Sequence, residues 1–180
     1  MLIAFGGYPG TGKTTLARAL AGRLPFVYLR IDTIEQTLLS SGVLGNDVGP
    51  SGYLVAYALA AENLRVGRSI IADSVNPLRM TRASWAEIAR EAKVPLIEVE
   101  IICSEESEHR RRVEQRTSDI KGHFVPTWET VQHLQFEPWS TPHIVLDTAG
   151  KAIGKALDEL QNLILEATRQ HRNPEAVDSN

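Results

Sequence analysis

The segment from Gly7 to Thr14, GYPGTGKT, restricts what this chain can fold into more than any other feature. It matches the phosphate-loop pattern G-x-x-x-x-G-K-[ST] at every fixed position. Such a loop turns backbone N–H groups inward around a polyphosphate, and glycine permits the turn because it adopts positive φ and carries no side chain. In this loop Lys13 would reach the β- and γ-phosphates, and the Thr14 hydroxyl would bind Mg²⁺.

The residues on either side of the loop favour the same interpretation. Residues 2–6 form a short apolar run that is typical of a strand buried on both faces. Leu16, Leu20 and Leu24 recur at intervals of four, which indicates a helix whose N-terminus would favour an anion. The alternative is a glycine-rich turn that binds nothing. The predicted cofactor-binding residues are Gly7, Gly10, Thr11, Gly12, Lys13, Thr14 and Thr15.

Length, charge and cysteine content limit the class of protein. A chain of 180 residues suits one domain with a sizeable core. With 19 basic and 22 acidic residues the formal net charge is -3, which argues against a broad nucleic-acid or membrane surface. Cys103 is the only cysteine, and no charged leader precedes the first strand, so we expect no disulfide and a cytoplasmic location.

The rest of the chain alternates between apolar runs and helical periods. Further strands are predicted at 26–29, 69–72, 96–102 and 143–146. Helical faces precede the third and fourth strands and close the chain: Tyr53, Tyr57, Ala61 and Leu64, then Trp85, Ile88 and Ala92, then Ile153, Leu157, Leu160 and Ile164. This alternation predicts a three-layer α/β fold with a parallel sheet, because right-handed crossovers place helices on both faces. The polar segment 171–180 is predicted to be a disordered tail.

Ligands of an open α/β sheet lie outside the carboxyl ends of its strands, so polar residues at these ends are the candidates for function. Asp32 follows the second strand and would accept the proton of an attacking hydroxyl group. Alternatively it is a helix N-cap, because Glu35 three residues later completes a capping-box-like pair. The two roles are compatible.

Asp73 ends the third predicted strand, in the position of a Walker B carboxylate that holds Mg²⁺. The alternative is a simple cap. Asn76, Arg79 and Arg82 follow directly, and they would hold an acceptor or a phosphate. For the two arginines the alternative is an exposed helix face.

Several arginines lie in a predicted helix after the fourth strand. Arg112 and Arg116 are four residues apart and so share a face, which would close over the γ-phosphate and neutralise its charge during transfer. The alternative for Arg112 is an ion pair with Glu108. Residues 147–150, DTAG, match the DxxG of GTPases, but they come too late in the chain and no N-K-x-D follows, so we interpret this turn as a wall of the adenine site.

With these motifs the chain resembles the P-loop kinases that phosphorylate small molecules or nucleic-acid ends. This group includes gluconate kinase, chloramphenicol phosphotransferase, zeta-toxin-like kinases and polynucleotide 5′-hydroxyl kinases. The resemblance implies a five-stranded parallel sheet in the order 2-3-1-4-5, and one domain over 1–170 with a small lid at about 104–140. It also implies that Asp32 activates the hydroxyl and that Arg116 is the lid arginine. Polynucleotide kinases usually carry an arginine shortly after the aspartate, and residues 33–41 contain none, so a nucleic-acid acceptor is not favoured.

Three functions are compatible with these patterns. The first is an ATP- and Mg²⁺-dependent kinase with a small-molecule acceptor, without a membrane partner. The second is a nucleotide-binding regulatory or ATPase module, and the third is a polynucleotide 5′-hydroxyl kinase. The motifs suit ATP or GTP, since adenine in such folds is often held by backbone and packing.

Overall fold

A five-stranded parallel sheet forms the centre of the computed structural model, which describes residues 1–45 and 47–172. Its strands are β1 (Leu2–Gly6), β2 (Val27–Arg30), β3 (Ile70–Asp73), β4 (Leu96–Ile102) and β5 (Ile144–Asp147). They are arranged in the order β2-β3-β1-β4-β5, and every neighbouring pair is parallel. The predicted fold class and strand order are therefore confirmed.

Helices cover both faces of this sheet. The described residues form α1 (Lys13–Arg23), α2 (Ile31–Ser40), α3 (Ser51–Arg65), α4 (Arg79–Glu91), α5 (Glu106–Gln115), α6 (Trp128–Gln132) and α7 (Ile153–Arg172). Helices α1 and α7 pack on one face, and α3 and α4 pack on the other. Side chains alternate along β1, so that Ile3 and Phe5 join the first layer while Leu2 and Ala4 join the second. All four are fully buried, which explains why this strand is apolar throughout.

Strands β2 and β5 extend one residue further toward the carboxyl edge than the apolar runs predicted. Strand β2 ends with Arg30 and β5 with Asp147, while β3 ends with Asp73, as predicted. Phe26 lies outside β2 because its N–H donates to the Leu24 carbonyl (2.8 Å) in the preceding turn. The ladder between β2 and β3 pairs Arg30 with Asp73, so charged side chains from neighbouring strands meet at this edge.

The buried face of α3 is shifted from the predicted one. Its buried residues are Gly52, Ala56, Ala60 and Leu64. Gly52 allows α3 to lie close to α2, since a Cβ on Gly52 would lie 2.2 Å from the Glu35 Cγ atom. Tyr53 and Tyr57 are only partly buried, and their rings line a cavity described below.

The structure describes only the first two residues of the predicted C-terminal tail. Helix α7 continues to Arg172, so the first two residues of the predicted tail 171–180 are helical, and 173–180 lie outside the described residues. One domain with a lid at about 104–140 remains a prediction. Within the described part of the chain, no helix combines the length and the apolar character needed to span a bilayer.

We predict that Gly7→Ala destabilises the fold, while the matched change Gly22→Ala in α1 does not. Gly7 has φ 128°, and a Cβ there would lie 2.2 Å from the Ile101 carbonyl oxygen, so the variant should lose at least ~1–3 kcal/mol. Gly22 is helical and a Cβ there meets nothing within 4 Å, so alanine should stabilise by ~0.5–1 kcal/mol. Urea unfolding measures both, and equal stability of the two variants would contradict the close approach at Gly7.

Candidate active site

Residues 7–12 make a tight turn between β1 and α1, with Gly7, Gly10 and Gly12 at φ 128°, 86° and 99°. Gly10 passes beneath α5, where a Cβ would lie 2.5 Å from Val113 Cγ2. Gly12 is the N-cap of α1, and no side chain of the described residues caps this helix. The first N–H groups of α1 are therefore free to bind an anion, as the phosphate-loop pattern predicts.

Lys13 lies at the start of α1 and is buried. Its Nζ atom donates a hydrogen bond to the Tyr8 carbonyl oxygen (2.7 Å). Burial lowers the pKa of Lys13 to about 8, against the opposing effect of the Asp73 and Asp32 carboxylates, while Arg116 lowers it further. The ammonium group therefore lies near the carboxylates that follow β2 and end β3, and near the predicted lid arginine.

Asp73 is buried at the end of β3, directly beside the phosphate loop. Burial raises the pKa of its carboxyl group, and hydrogen bonding and charge from Tyr28, Lys13 and Thr14 oppose that shift. The Tyr28 hydroxyl donates to Asp73 Oδ2 (2.7 Å). Mg²⁺ commonly takes one or two carboxylates together with phosphate oxygens and water. The Thr14 hydroxyl next to the Asp73 carboxylate fits this donor set.

Lys13 and Thr14 line a cavity of about 600 Å³, called here the basic cavity, whereas Asp73 lies outside its lining. The charged residues in its lining are Lys13, Arg18, Arg30, Arg112, Arg116, Lys151 and Asp119. Six of these seven are basic, so the cavity attracts a polyanion. Its wall also includes Thr148 from the turn after β5, whose hydroxyl donates to the Thr11 carbonyl oxygen (2.8 Å). The turn that is predicted to form a wall of the adenine site is thus adjacent to the phosphate loop.

Arg112 and Arg116 do not share a helical face, so that prediction is wrong. Helix α5 ends at Gln115, and Arg116 has an extended backbone (φ -67°, ψ 132°), since its N–H already closes a turn onto the Val113 carbonyl. Arg112 donates to Glu108 Oε1 (2.6 Å), which is the ion pair that was the predicted alternative for this residue. It also donates to the Thr148 hydroxyl (2.8 Å). Arg116 lies close enough to Lys13 to affect its pKa, and both arginines line the basic cavity.

Asp32 does not cap α2, so the N-cap alternative is wrong. Helix α2 begins at Ile31, and its N-cap is Arg30, which makes no side-chain capping bond. Asp32 lies in the first turn, where its Oδ2 atom is 3.6 Å from Arg30 Nη2. Its carboxylate lines a second cavity of about 530 Å³ together with Glu35. This second space is called here the apolar cavity.

Sequence reasoning missed the ion cluster formed by Arg18, Arg30 and Asp119. Arg30 is buried, and its Nη1 atom donates to Asp119 Oδ2 (2.9 Å). Arg18 Nη2 donates to the same carboxylate oxygen (2.5 Å). The two guanidinium groups hold the pKa of Asp119 well below its usual value, with the Arg18 hydrogen bond as the largest cause. Arg30 ends a strand, so the rule applied to Asp73 could have found it.

The predicted substrate residues on the loop and helix after β3 lie outside both cavity linings. Asn76 is fully buried, and Arg79 is exposed at the start of α4. Arg82 is 4% exposed, and its guanidinium donates to three carbonyl oxygens: Asn76 (3.1 Å), Glu137 (3.0 Å) and Pro138 (3.2 Å). The predictions of a substrate-binding Arg82 and of an exposed one are therefore both wrong. Arg82 fixes the segment that precedes β5 against α4, beneath the Trp139 ring.

The sequence matches one family model, described as an AAA domain, over residues 2–135. The chain belongs to this AAA domain family. The match contains the phosphate loop, Asp32 and Asp73, and it extends through α5 and α6. None of the curated proteins matches the chain significantly in sequence.

Solved structures with the same fold as this AAA-domain protein include P-loop kinases. A gluconokinase from Sinorhizobium meliloti has a TM-score of 0.66 at 19% identity, with 95% of each chain covered. Kti12 from Chaetomium thermophilum, in complex with ADP-AlF3, has a TM-score of 0.65 at 22% identity, covering 90% of this chain and 98% of that one. The APS kinase CysC from Mycobacterium tuberculosis, in complex with AMPPNP and APS, has a TM-score of 0.56 at 20% identity, covering 91% and 96%. Together with the family match, these structures confirm that the chain resembles the P-loop kinase group in fold.

We predict that ATP binding takes up protons near pH 8 through Lys13. The pKa of Lys13 is about 8 without nucleotide, so roughly half of its amines are neutral at that pH, and the phosphates would raise the pKa. Calorimetry in buffers of different ionisation enthalpy should show uptake of about half a proton per nucleotide. The uptake should be lost in Lys13→Met and kept in Lys155→Met, which changes an exposed lysine of α7. Proton release, or uptake that persists without Lys13, would contradict this assignment.

Proposed function

We propose that this AAA-domain protein is an ATP- and Mg²⁺-dependent kinase that transfers the γ-phosphate to a hydroxyl group of a small molecule. One observation carries the proposal: Asp32 lies between the two cavities. Its charge acts on Lys13 in the basic cavity, and its carboxylate lines the apolar cavity. A carboxylate in this position would orient an acceptor hydroxyl toward the terminal phosphate.

The basic cavity would hold the nucleotide. The backbone N–H groups of Gly10, Gly12, Lys13 and Thr14, together with the Lys13 ammonium, would bind the β- and γ-phosphates. Thr14 and Asp73 would hold Mg²⁺, which supplies charge neutralisation on the phosphate oxygens. Arg116 would add a second cation next to Lys13 as charge moves onto the leaving oxygen.

The transfer step requires a base on the acceptor side. The acceptor oxygen forms a bond to the γ-phosphorus, and the bond from that phosphorus to the β,γ-bridging oxygen breaks, so ADP leaves. Asp32 takes the hydroxyl proton, which keeps the step balanced. Arg30, whose Nη2 atom lies 3.6 Å from Asp32 Oδ2, limits the orientations of this carboxylate.

The apolar cavity favours this proposal over the two alternatives. A regulatory or ATPase module needs no second pocket next to the terminal phosphate. A polynucleotide kinase needs cations along the acceptor strand, and the described lining of the apolar cavity contains no lysine or arginine. A hydroxyl-bearing small molecule suits both its size and its walls.

Transfer of labelled γ-phosphate to a panel of acceptors tests the proposal. The panel contains sugars, sugar acids, amino alcohols, antibiotics and short oligonucleotides. We expect a phosphomonoester with at least one small alcohol and no labelled oligonucleotide. Steady release of inorganic phosphate with no phosphorylated acceptor would contradict the proposal and favour an ATPase module. Label in the oligonucleotide alone would favour the polynucleotide kinase.

We predict that Asp32→Asn separates nucleotide binding from transfer. The amide keeps the shape of the side chain but accepts no proton, so transfer to the acceptor found above should fall by about a hundredfold or more. ATP affinity should stay nearly unchanged, because Asp32 touches the acceptor side. The control is Asp158→Asn on α7, where the aspartate forms an exposed ion pair with Arg23 of α1. This variant should leave both transfer and ATP affinity unchanged. Retained transfer in Asp32→Asn would remove this residue from the mechanism.

A further inference from the structure

We propose that the apolar cavity selects an amino alcohol: a molecule with an apolar body and an ammonium group close to the hydroxyl that is phosphorylated. The inference rests on the proposed kinase function and names the substrate class of its acceptor site. It follows from the walls of the apolar cavity, the sign of its charges, and the placement of Glu35.

The walls of the apolar cavity suit an apolar body. The apolar and aromatic residues of the lining are Pro9, Ile31, Pro50, Tyr53, Leu54, Tyr57, Val75, Pro77, Leu78, Met80, Pro126, Val131 and Leu134. The Tyr57 hydroxyl donates to the Thr81 carbonyl oxygen (3.0 Å), and the Tyr53 hydroxyl accepts the Asn76 N–H (3.0 Å). These bonds fix the tyrosine hydroxyls to the backbone and leave the rings as contact surface. At about 530 Å³ the space is of the size that small ligands occupy.

The charges of the apolar cavity are all of one sign. Its described lining contains two carboxylates, Asp32 and Glu35, and no lysine, arginine or histidine, and the Arg30 guanidinium that lies 3.6 Å from Asp32 is outside this lining. The two residues are three apart on α2, so their side chains lie on the same face. An anionic acceptor would meet like charge in a partly desolvated space, above all at Glu35, which makes no ion pair with a described residue, whereas an ammonium group would be attracted.

Glu35 is the residue that would bind the ammonium group. Its side chain is packed against Gly52 of α3, and burial together with the nearby charge of Asp32 raises its pKa to about 7. The titratable groups that face it are Asp32 on α2 and Tyr53 on α3. A cation beside Glu35 would stabilise its charged form, which the unliganded cavity penalises. The rings of Tyr53 and Tyr57, with centroids 5.9 Å apart, add faces that attract a cation.

The positions of the two carboxylates indicate which polar group of the acceptor each of them would bind. Asp32 lies beside the basic cavity, because its Oδ2 atom is 3.6 Å from Nη2 of Arg30, which lines that cavity, whereas Glu35 packs against Gly52 of α3. The hydroxyl would therefore face Asp32 and the ammonium group would face Glu35, one helical turn away. An acceptor that fits this arrangement carries its amine close to the carbon atom that bears the hydroxyl group.

Three matched probes with the same phenylpropyl body test the charge preference. Phenylalaninol carries an ammonium group, 3-phenylpropan-1-ol is neutral, and 3-phenyllactate is an anion. Each is titrated calorimetrically into the protein with Mg²⁺ and AMPPNP, and each is tested for transfer from labelled ATP. We expect phenylalaninol to bind about tenfold or more tightly than the neutral alcohol, and 3-phenyllactate more weakly than either. Equal binding of the neutral alcohol, tighter binding of the anion, or no binding of phenylalaninol overturns the inference.

The variant Glu35→Gln tests the residue itself. It keeps the side-chain shape, so it should remove the preference for phenylalaninol while leaving affinity for AMPPNP and for the neutral alcohol unchanged. The control is Glu62→Gln on the exposed side of α3, which should behave like the parent. A preference that survives in Glu35→Gln overturns the assignment of this residue.

The pH dependence of binding gives a second readout of Glu35. The cation prefers ionised Glu35, so phenylalaninol affinity should rise from about pH 6 to about pH 8 in the parent and stay flat in Glu35→Gln. A flat profile in the parent overturns the assignment. If phenylalaninol binds with this profile but no acceptor is phosphorylated, the kinase function fails while the selectivity of the cavity stands. If a neutral or anionic acceptor is phosphorylated instead, the kinase function stands and this inference fails.

Discussion

The turn between β1 and α1 is the constraint on which the rest of the structure depends. Gly7 approaches the Ile101 carbonyl so closely that no Cβ fits, and Gly10 passes directly beneath α5. The backbone also has positive φ at both positions, which glycine adopts without strain. Because the turn is this tight, α1 starts at the carboxyl edge of the sheet, and Lys13 is buried near the Asp73 carboxylate.

The two cavities differ in the sign of the charged side chains that line them, and this difference separates the site into two parts. The basic cavity concentrates guanidinium and ammonium groups around the phosphate loop, while the apolar cavity holds only carboxylates among its described charges. Asp32 belongs to the second but acts on Lys13 in the first. Separate fields of this kind would keep a triphosphate in the basic cavity and the proposed cationic acceptor in the apolar cavity. The proposed reaction takes place where the two meet.

The sequence predicts the local elements of this protein well and its long-range polar contacts poorly. The phosphate loop, β1 and β4 follow from local patterns, and the strand order follows from resemblance to a family. The burial of Arg30 depends on Asp119, which lies 89 positions away, and the burial of Arg82 depends on carbonyl groups of residues 137 and 138. Neither of these long-range contacts produces a periodic pattern in the sequence. The sequence indicates Glu35 only as a capping partner. Its burial depends on Gly52 of another helix, and local sequence patterns do not reveal that contact.

A crystal structure with AMPPNP and magnesium tests the central claim most directly, because it locates the terminal phosphate relative to both cavities. We expect the γ-phosphate against Lys13 at the side of the basic cavity that faces Asp32, with the metal ion held by Thr14 and Asp73. We also expect an open path from that phosphate into the apolar cavity. A nucleotide bound away from the phosphate loop, or a γ-phosphate separated from Asp32 by packed protein, would contradict the central claim.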